Sequence, residues 1–138
     1  MILVDSSVWI DLFKNKRTPQ VVFLENLQKS LSHEICISHI IYFEVLRGIP
    51  SDLERKRIQK LLNTLVFCDY HNQNFDNLTS NYRTCRQKGF TLLRLGDWVI
   101  FETGLDHSLE LLPSDGYFHQ LNKIYPFHIL TNLVARQG

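Results

Sequence analysis

The chain opens Met1-Ile2-Leu3-Val4-Asp5-Ser6-Ser7-Val8-Trp9-Ile10-Asp11, and the reading of this stretch decides the fold. Ile2, Leu3 and Val4 form a β-type apolar run, too short for a core helix and ended by an acid. Ser6 or Ser7 can cap a helix immediately afterwards, with Val8, Trp9, Leu12 and Phe13 as its apolar residues. The rest of the chain continues this alternation of strand and helix.

Thr18-Pro19 marks a second helix start, with proline at the first helical position. Residues 34–37 read as a second strand. Ser38 can cap the next helix, which runs to Gly48 and is closed by Pro50. Ser51 or Asp52 starts a polar helix, and residues 65–68 are a third strand. Phe75, Leu78, Tyr82 and Cys85 recur at helical spacing, with Gly89 as the stop. A helix is predicted from Asp97 to about His107 and a fourth strand over 109–112. A short helix over 117–124 and a fifth strand over 127–130 complete the pattern. Such alternation predicts a mostly parallel sheet covered on both faces, built as one α/β domain over residues 1–138.

Composition narrows the function classes. The chain has 138 residues, 44% hydrophobic and 21% charged, with 15 Lys plus Arg against 14 Asp plus Glu. A net charge of +1 argues against nucleic-acid binding by bulk charge but leaves local binding open. Residues 77–96 hold no acid and four bases, Arg83, Arg86, Lys88 and Arg94, whereas residues 97–122 hold no Lys or Arg and five acids. No apolar run could span a bilayer, and the start of the chain has no signal-peptide pattern, so a cytoplasmic protein is expected. Cys36, Cys68 and Cys85 are widely spaced and read as reduced thiols, mostly buried. The six histidines show no i, i+4 pair and no Cys/His cluster, so no zinc site is expected. No phosphate-cradling glycine motif occurs.

The acids carry more information. Ligands of open parallel sheets bind beyond the carboxyl ends of strands. Asp5 follows the first strand, Asp115 follows the fourth, and Asp97 lies at a predicted helix start. Each also has an ordinary alternative, as strand stop, turn residue or helix cap. Glu44 stands among Ile40, Ile41, Tyr42, Phe43, Val45 and Leu46, which predicts a buried helix. A carboxylate there is costly unless it pairs, with Arg47 at i+3, or faces a cation shared with other acids. Carboxylates gathered without histidine or cysteine suit Mg²⁺ or Mn²⁺ and phosphoryl chemistry. Glu102 lies about 140° around the helix from Asp97, so it is expected at the surface or paired with a neighbour. Asp11 is expected to face solvent or Lys14, and Asp69 to end an edge strand away from the site.

Four segments resemble the PIN-domain nucleases, especially toxins of the VapC type: residues 4–11, Glu44-Val45-Leu46-Arg47-Gly48, Gly96-Asp97-Trp98-Val99-Ile100, and residues 111–118. They occur in order and span nearly the whole chain. The resemblance implies a three-layer α/β/α domain with sheet order 3-2-1-4-5. It implies a metal-dependent endoribonuclease with Asp5, Glu44, Asp97 and Asp115 as metal ligands and Ser7 as an organising hydroxyl. Hydrolysis of this kind leaves a 5′-phosphate and a 3′-hydroxyl. A VapB-like antitoxin and a homodimer are implied as well, and a transfer-RNA target would be typical. The chain departs from the pattern at Pro113, commonly Thr, and at Tyr117, commonly Asp.

Arg83, Arg86, Lys88 and Arg94 are candidate contacts to substrate phosphates. Trp9, Phe13, Val22 and Phe23 offer apolar surface for a dimer. The rival readings are a non-catalytic binding module on the same fold and a phospho-signalling receiver domain. The receiver reading requires adjacent acids after the first strand, where this chain has Ser6-Ser7. Setting the four site acids aside leaves 10 acids against 15 bases, a modestly basic chain around an acidic pocket.

Overall fold

The computed structural model describes residues 1–71, 75–89 and 94–113. Strands β1 (Ile2–Val4), β2 (Ile35–Ile37), β3 (Val66–Phe67) and β4 (Glu110–Leu112) form a parallel sheet in the order β3-β2-β1-β4. Leu3 pairs with Cys36 on one side and Leu111 on the other, which makes β1 central. Leu3, Val4, Ile35, Cys36, Ile37, Leu111 and Leu112 are all fully buried. That explains why these strands are continuously apolar rather than alternating: both sheet faces are covered.

Among the described residues six α-helices flank the sheet: α1 (Ser6–Phe13), α2 (Pro19–Ser30), α3 (His39–Arg47), α4 (Asp52–Leu62), α5 (Phe75–Gln87) and α6 (Leu95–Asp106). The architecture is the expected three-layer one. α1 packs on α2 and α3, α3 on α4 and α6, and α5 on α6. Capping set several boundaries. Thr18, Ser38 and Ser51 each accept a hydrogen bond from the backbone N–H three residues on, which satisfies one orphan donor at each helix start. Gly89 adopts φ +91° after α5, a conformation that costs glycine little.

Several expectations need correction. Asp5, not Ser6 or Ser7, is the N-cap of α1, and its side chain makes no capping bond. α3 is only half buried: Ile41 and Val45 face the core, whereas Phe43 is 62% exposed. Glu102 is not at the surface; it is 4% exposed and accepts a short hydrogen bond from Asn81 Nδ2. Its neighbour-pairing alternative is the one observed. Asp11 pairs with Lys16 at 3.3 Å rather than with Lys14. Trp9 is fully buried and Phe23 nearly so, so these two are spent on the chain's own core rather than offered to a second copy. The three cysteines are free thiols, two of them buried, and burial pushes the Cys36 thiol up. Among the described residues no helix is long and apolar enough to cross a membrane. The helix expected over 117–124, the strand over 127–130 and Asp115 lie outside the described residues.

α6 is the helix that most affects the site. Every residue from Trp98 to Gly104 is buried, Glu102 and Thr103 included, so the middle of this helix sits inside the molecule on all sides. Tyr82 of α5 packs edge-on against Trp98 at 5.5 Å. α6 begins two residues earlier than expected, so Asp97 is its third residue rather than its cap.

Candidate active site

The site forms where β1 ends. Asp5 continues the strand, donating its backbone N–H to the Leu112 carbonyl at 3.1 Å. Its own carbonyl accepts from Val8 and Trp9, which turns the chain into α1. The side chain is therefore held between a sheet and a helix and is only 5% exposed. Oδ2 accepts a short hydrogen bond from Ser7 Oγ. Oδ1 is buried with no hydrogen-bond partner.

Glu44 reaches the same place from α3. Ser6 Oγ donates to its Oε2 at 2.9 Å. The alternative pairing of Glu44 with Arg47 is not the arrangement found; Arg47 lies over the Phe43 ring, 5.6 Å from its centroid. Two adjacent serines that could have capped α1 thus donate to two different carboxylates. A hydroxyl bonded to a charged acceptor gains more than one bonded to a neutral backbone group.

Asp97 enters from the first turn of α6. Its Oδ2 accepts from the backbone N–H of Arg94 at 3.3 Å, half of a capping box. Gly96 explains how α6 comes so close. A Cβ at that position would lie 3.0 Å from Glu44 Oε1, so a side chain there would have to displace the Glu44 carboxylate by a few tenths of an ångström. From sequence, Ser6 had only a capping role and Gly96 none at the site. The signal for Ser6 was present, a second hydroxyl beside an acid, but only the tertiary contact to α3 gives it meaning.

Asp97 and Glu44 lie near enough for their charges to act on the Asp5 carboxyl. Burial pushes the Asp5 carboxyl up to about 6. The Ser7 hydrogen bond opposes this, while the charges of Asp97 and Glu44 add to it. Negative charges packed together in a desolvated place favour any cation that can join them. Among the described residues Asp5, Glu44 and Asp97 offer oxygen donors, which suit a hard divalent ion. The orphaned Oδ1 of Asp5 supplies a donor with nothing else to bind, so the residues present fit such an ion.

Arg94 is exposed beside Asp97. Arg83 and Arg86 are exposed on α5 and Lys88 just beyond it. A groove of about 290 Å³ runs between α1, α3 and α4, with Glu44 at its edge and Ile10, Phe13, Ile49 and Ile58 in its wall. Asp69 lies outside the site, as expected: its carboxylate accepts from the His39 backbone N–H at 2.7 Å and meets His39 Nδ1 at 2.5 Å.

The sheet order 3-2-1-4, with a buried acid ending its central strand, agrees with what the sequence matches. A model of the PIN domain matches residues 2–124; the chain belongs to the PIN domain family. Among curated proteins it is similar to ribonuclease VapC11 of Mycobacterium tuberculosis and to a VapC ribonuclease of Mycobacterium bovis. Each is 25% identical over 136 residues, covering 98% of this chain and 97% of the relative. Among solved structures it resembles a chain of VapBC2 from Rickettsia felis, determined bound to a promoter DNA fragment. The TM-score is 0.72 at 16% identity, with 94% and 97% of the two chains covered. VapBC-1 of nontypeable Haemophilus influenzae gives a TM-score of 0.70 at 19% identity, covering 94% and 96%.

Proposed function

We propose that this protein is a metal-dependent endoribonuclease of the VapC type, hydrolysing RNA phosphodiesters. The observation that carries the reading is the buried Asp5 carboxylate, with one unpartnered oxygen and the charges of Glu44 and Asp97 beside it. The names of the two curated relatives, both ribonucleases, support it.

In this reading Asp5, Glu44 and Asp97 hold the ion, Mg²⁺ or Mn²⁺, and Asp115 joins them from outside the described residues. When bound, the metal supplies water activation and charge neutralisation at the scissile phosphate. The protein's own groups do the rest. Ser7 fixes the orientation of the Asp5 carboxylate, and Ser6 fixes that of Glu44. The backbone of Arg94 holds Asp97 in place, while the Arg94 side chain, with Arg83, Arg86 and Lys88, contacts substrate phosphates. Such contacts position RNA without reading its sequence.

The reading extends to partners. VapBC assemblies among the similar structures support a VapB-like partner; inhibition by that antitoxin and a homodimer as the working state belong to this proposal. A transfer RNA is the proposed substrate type. One domain spanning 1–138 and a cytoplasmic setting, which suits three free thiols, belong to the same proposal.

The decisive experiment measures RNA cleavage by the purified chain with Mg²⁺ or Mn²⁺, with EDTA, and in the Asp5→Asn and Asp97→Asn variants. Cleavage should need the metal and both acids. Cleavage that persists in EDTA would exclude the metal, and full activity in both variants would exclude this site. A folded parent that cuts no RNA under any metal would favour the non-catalytic reading.

A further inference from the structure

The histidines are too far apart in sequence to suggest a metal site, yet folding gathers two of them. His71 lies beyond β3, and Asp106 and His107 lie at the C-terminal end of α6. Each offers one ligand atom, and these atoms lie within 4.8 Å of one another. The two imidazole rings are 6.0 Å apart between centroids. We propose that His71, Asp106 and His107 form a second metal site, specific for a borderline transition-metal dication such as Zn²⁺ and separate from the carboxylate cluster.

The donor set argues for this class of ion. Two imidazoles and one carboxylate suit zinc and its neighbours, whereas magnesium prefers oxygen alone. Three protein ligands leave a fourth position for water, the usual open arrangement. An ion held at about 2.0–2.2 Å from each donor draws the donors closer than they now stand. His71 and Asp106 are exposed, so side-chain rotation supplies that movement without repacking the core.

The surroundings support both ligands and charge. His107 Nε2 donates to the Asp69 carbonyl at 2.7 Å, and a backbone carbonyl is a common outer support for a ligating histidine. Asp69 is itself fixed by His39. Glu102, one turn before Asp106 on α6, adds a buried acid. Residues 97–122 contain no Lys or Arg, so that segment brings no competing base. The C-terminal end of a helix also carries partial negative charge. A bound ion would join the end of α6 to the chain leaving β3, and so stabilise the helix that carries Asp97 at its other end.

The test uses the full chain in saturating Mg²⁺, which on the proposed reading occupies the carboxylates of Asp5, Glu44 and Asp97. Zn²⁺ is titrated by calorimetry, and the imidazole resonances are followed by ¹H–¹⁵N NMR. One equivalent of Zn²⁺ should bind and shift the resonances of His71 and His107. His71→Ala and His107→Ala should each weaken binding at least about tenfold, and Asp106→Asn should weaken it too. Asp5→Asn should leave it intact whatever happens to RNA cleavage, which separates this site from the proposed nuclease centre. Circular dichroism checks that the variants are folded. Equal Zn²⁺ affinity in both histidine variants would overturn the proposal. Should the variants unfold, the parent decides alone: absence of shifts at both rings would overturn it.

Discussion

The two ends of α6 gather titratable side chains in opposite ways. At its start, Asp97 joins Asp5 and Glu44, all oxygen donors, at the end of the central strand. At its finish, Asp106 and His107 meet His71 on a surface exposed to water. Burial makes the difference. At the start, desolvation and like charges push the Asp5 carboxyl up to about 6. The metal-free protein therefore carries a cost there that a cation would remove. At the finish, solvent screens the charges, and an ion would add a link rather than relieve a strain. A site that is costly without its ligand is a stronger functional signal than one that is merely possible.

The contrast breaks most sharply if activity does not depend on the buried end. Asp97→Asn and Asp5→Asn should each lower the initial rate of RNA hydrolysis by more than about 10²-fold at saturating Mg²⁺. The next effect concerns stability and has the opposite sign. Asp5 binds its proton more tightly folded than unfolded. Its protonated form thus favours folding below its ordinary value of 3.8, and that contribution is lost as pH rises through about 6. Above that pH, Asp5→Asn should stabilise the metal-free protein by up to roughly 3 kcal/mol. Chemical denaturation in EDTA at pH 5 and pH 8 measures this, and a gain no larger at pH 8 than at pH 5 would contradict the burial argument.

Two substitutions sharpen the geometry of the buried end. Ser6→Ala removes the donor to Glu44 and should cost about 1 kcal/mol of stability. It should also weaken Mn²⁺ binding about tenfold, read by calorimetry. Gly96→Ala places a methyl 3.0 Å from Glu44 Oε1. Alanine favours the helix by about 1 kcal/mol over glycine, so thermal stability should hold or rise slightly while metal affinity falls. A variant that loses stability and keeps its affinity would show that Gly96 serves packing alone.

The smallest effect belongs to α6 between the two ends. Burial raises the Glu102 carboxyl, opposed by the Asn81 hydrogen bond and aided by the Asp106 charge. Glu102→Gln keeps the shape and an acceptor for Asn81. It should stabilise the protein slightly at pH 8, and the gain should fade toward pH 5 in the same denaturation assay.

Much of the architecture was legible because its signals are local. Ile2-Leu3-Val4 could be read as a strand from three apolar residues ended by an acid. Thr18-Pro19, Ser38 and Ser51 announced helix starts through capping chemistry that needs only nearby backbone. Errors arose where a residue's partner was remote. Ser6 and Ser7 looked like caps because a cap is the nearest use for a hydroxyl. Glu44 was assigned to Arg47 on the alternative reading because i+3 is the nearest base. Glu102 is buried although its spacing suggested a free face, because Asn81 of α5 reaches it.

The sequence by itself determined the alternation of strands and helices, the acids at the ends of particular elements, and the resemblance to a nuclease family. These depend on propensity, periodicity and order along the chain. Only the tertiary structure decided which hydroxyl serves which acid, how closely position 96 approaches Glu44, and that His71 stands beside His107. Those facts depend on packing between elements distant in sequence, where close contact and desolvation set the energies and local pattern has no say.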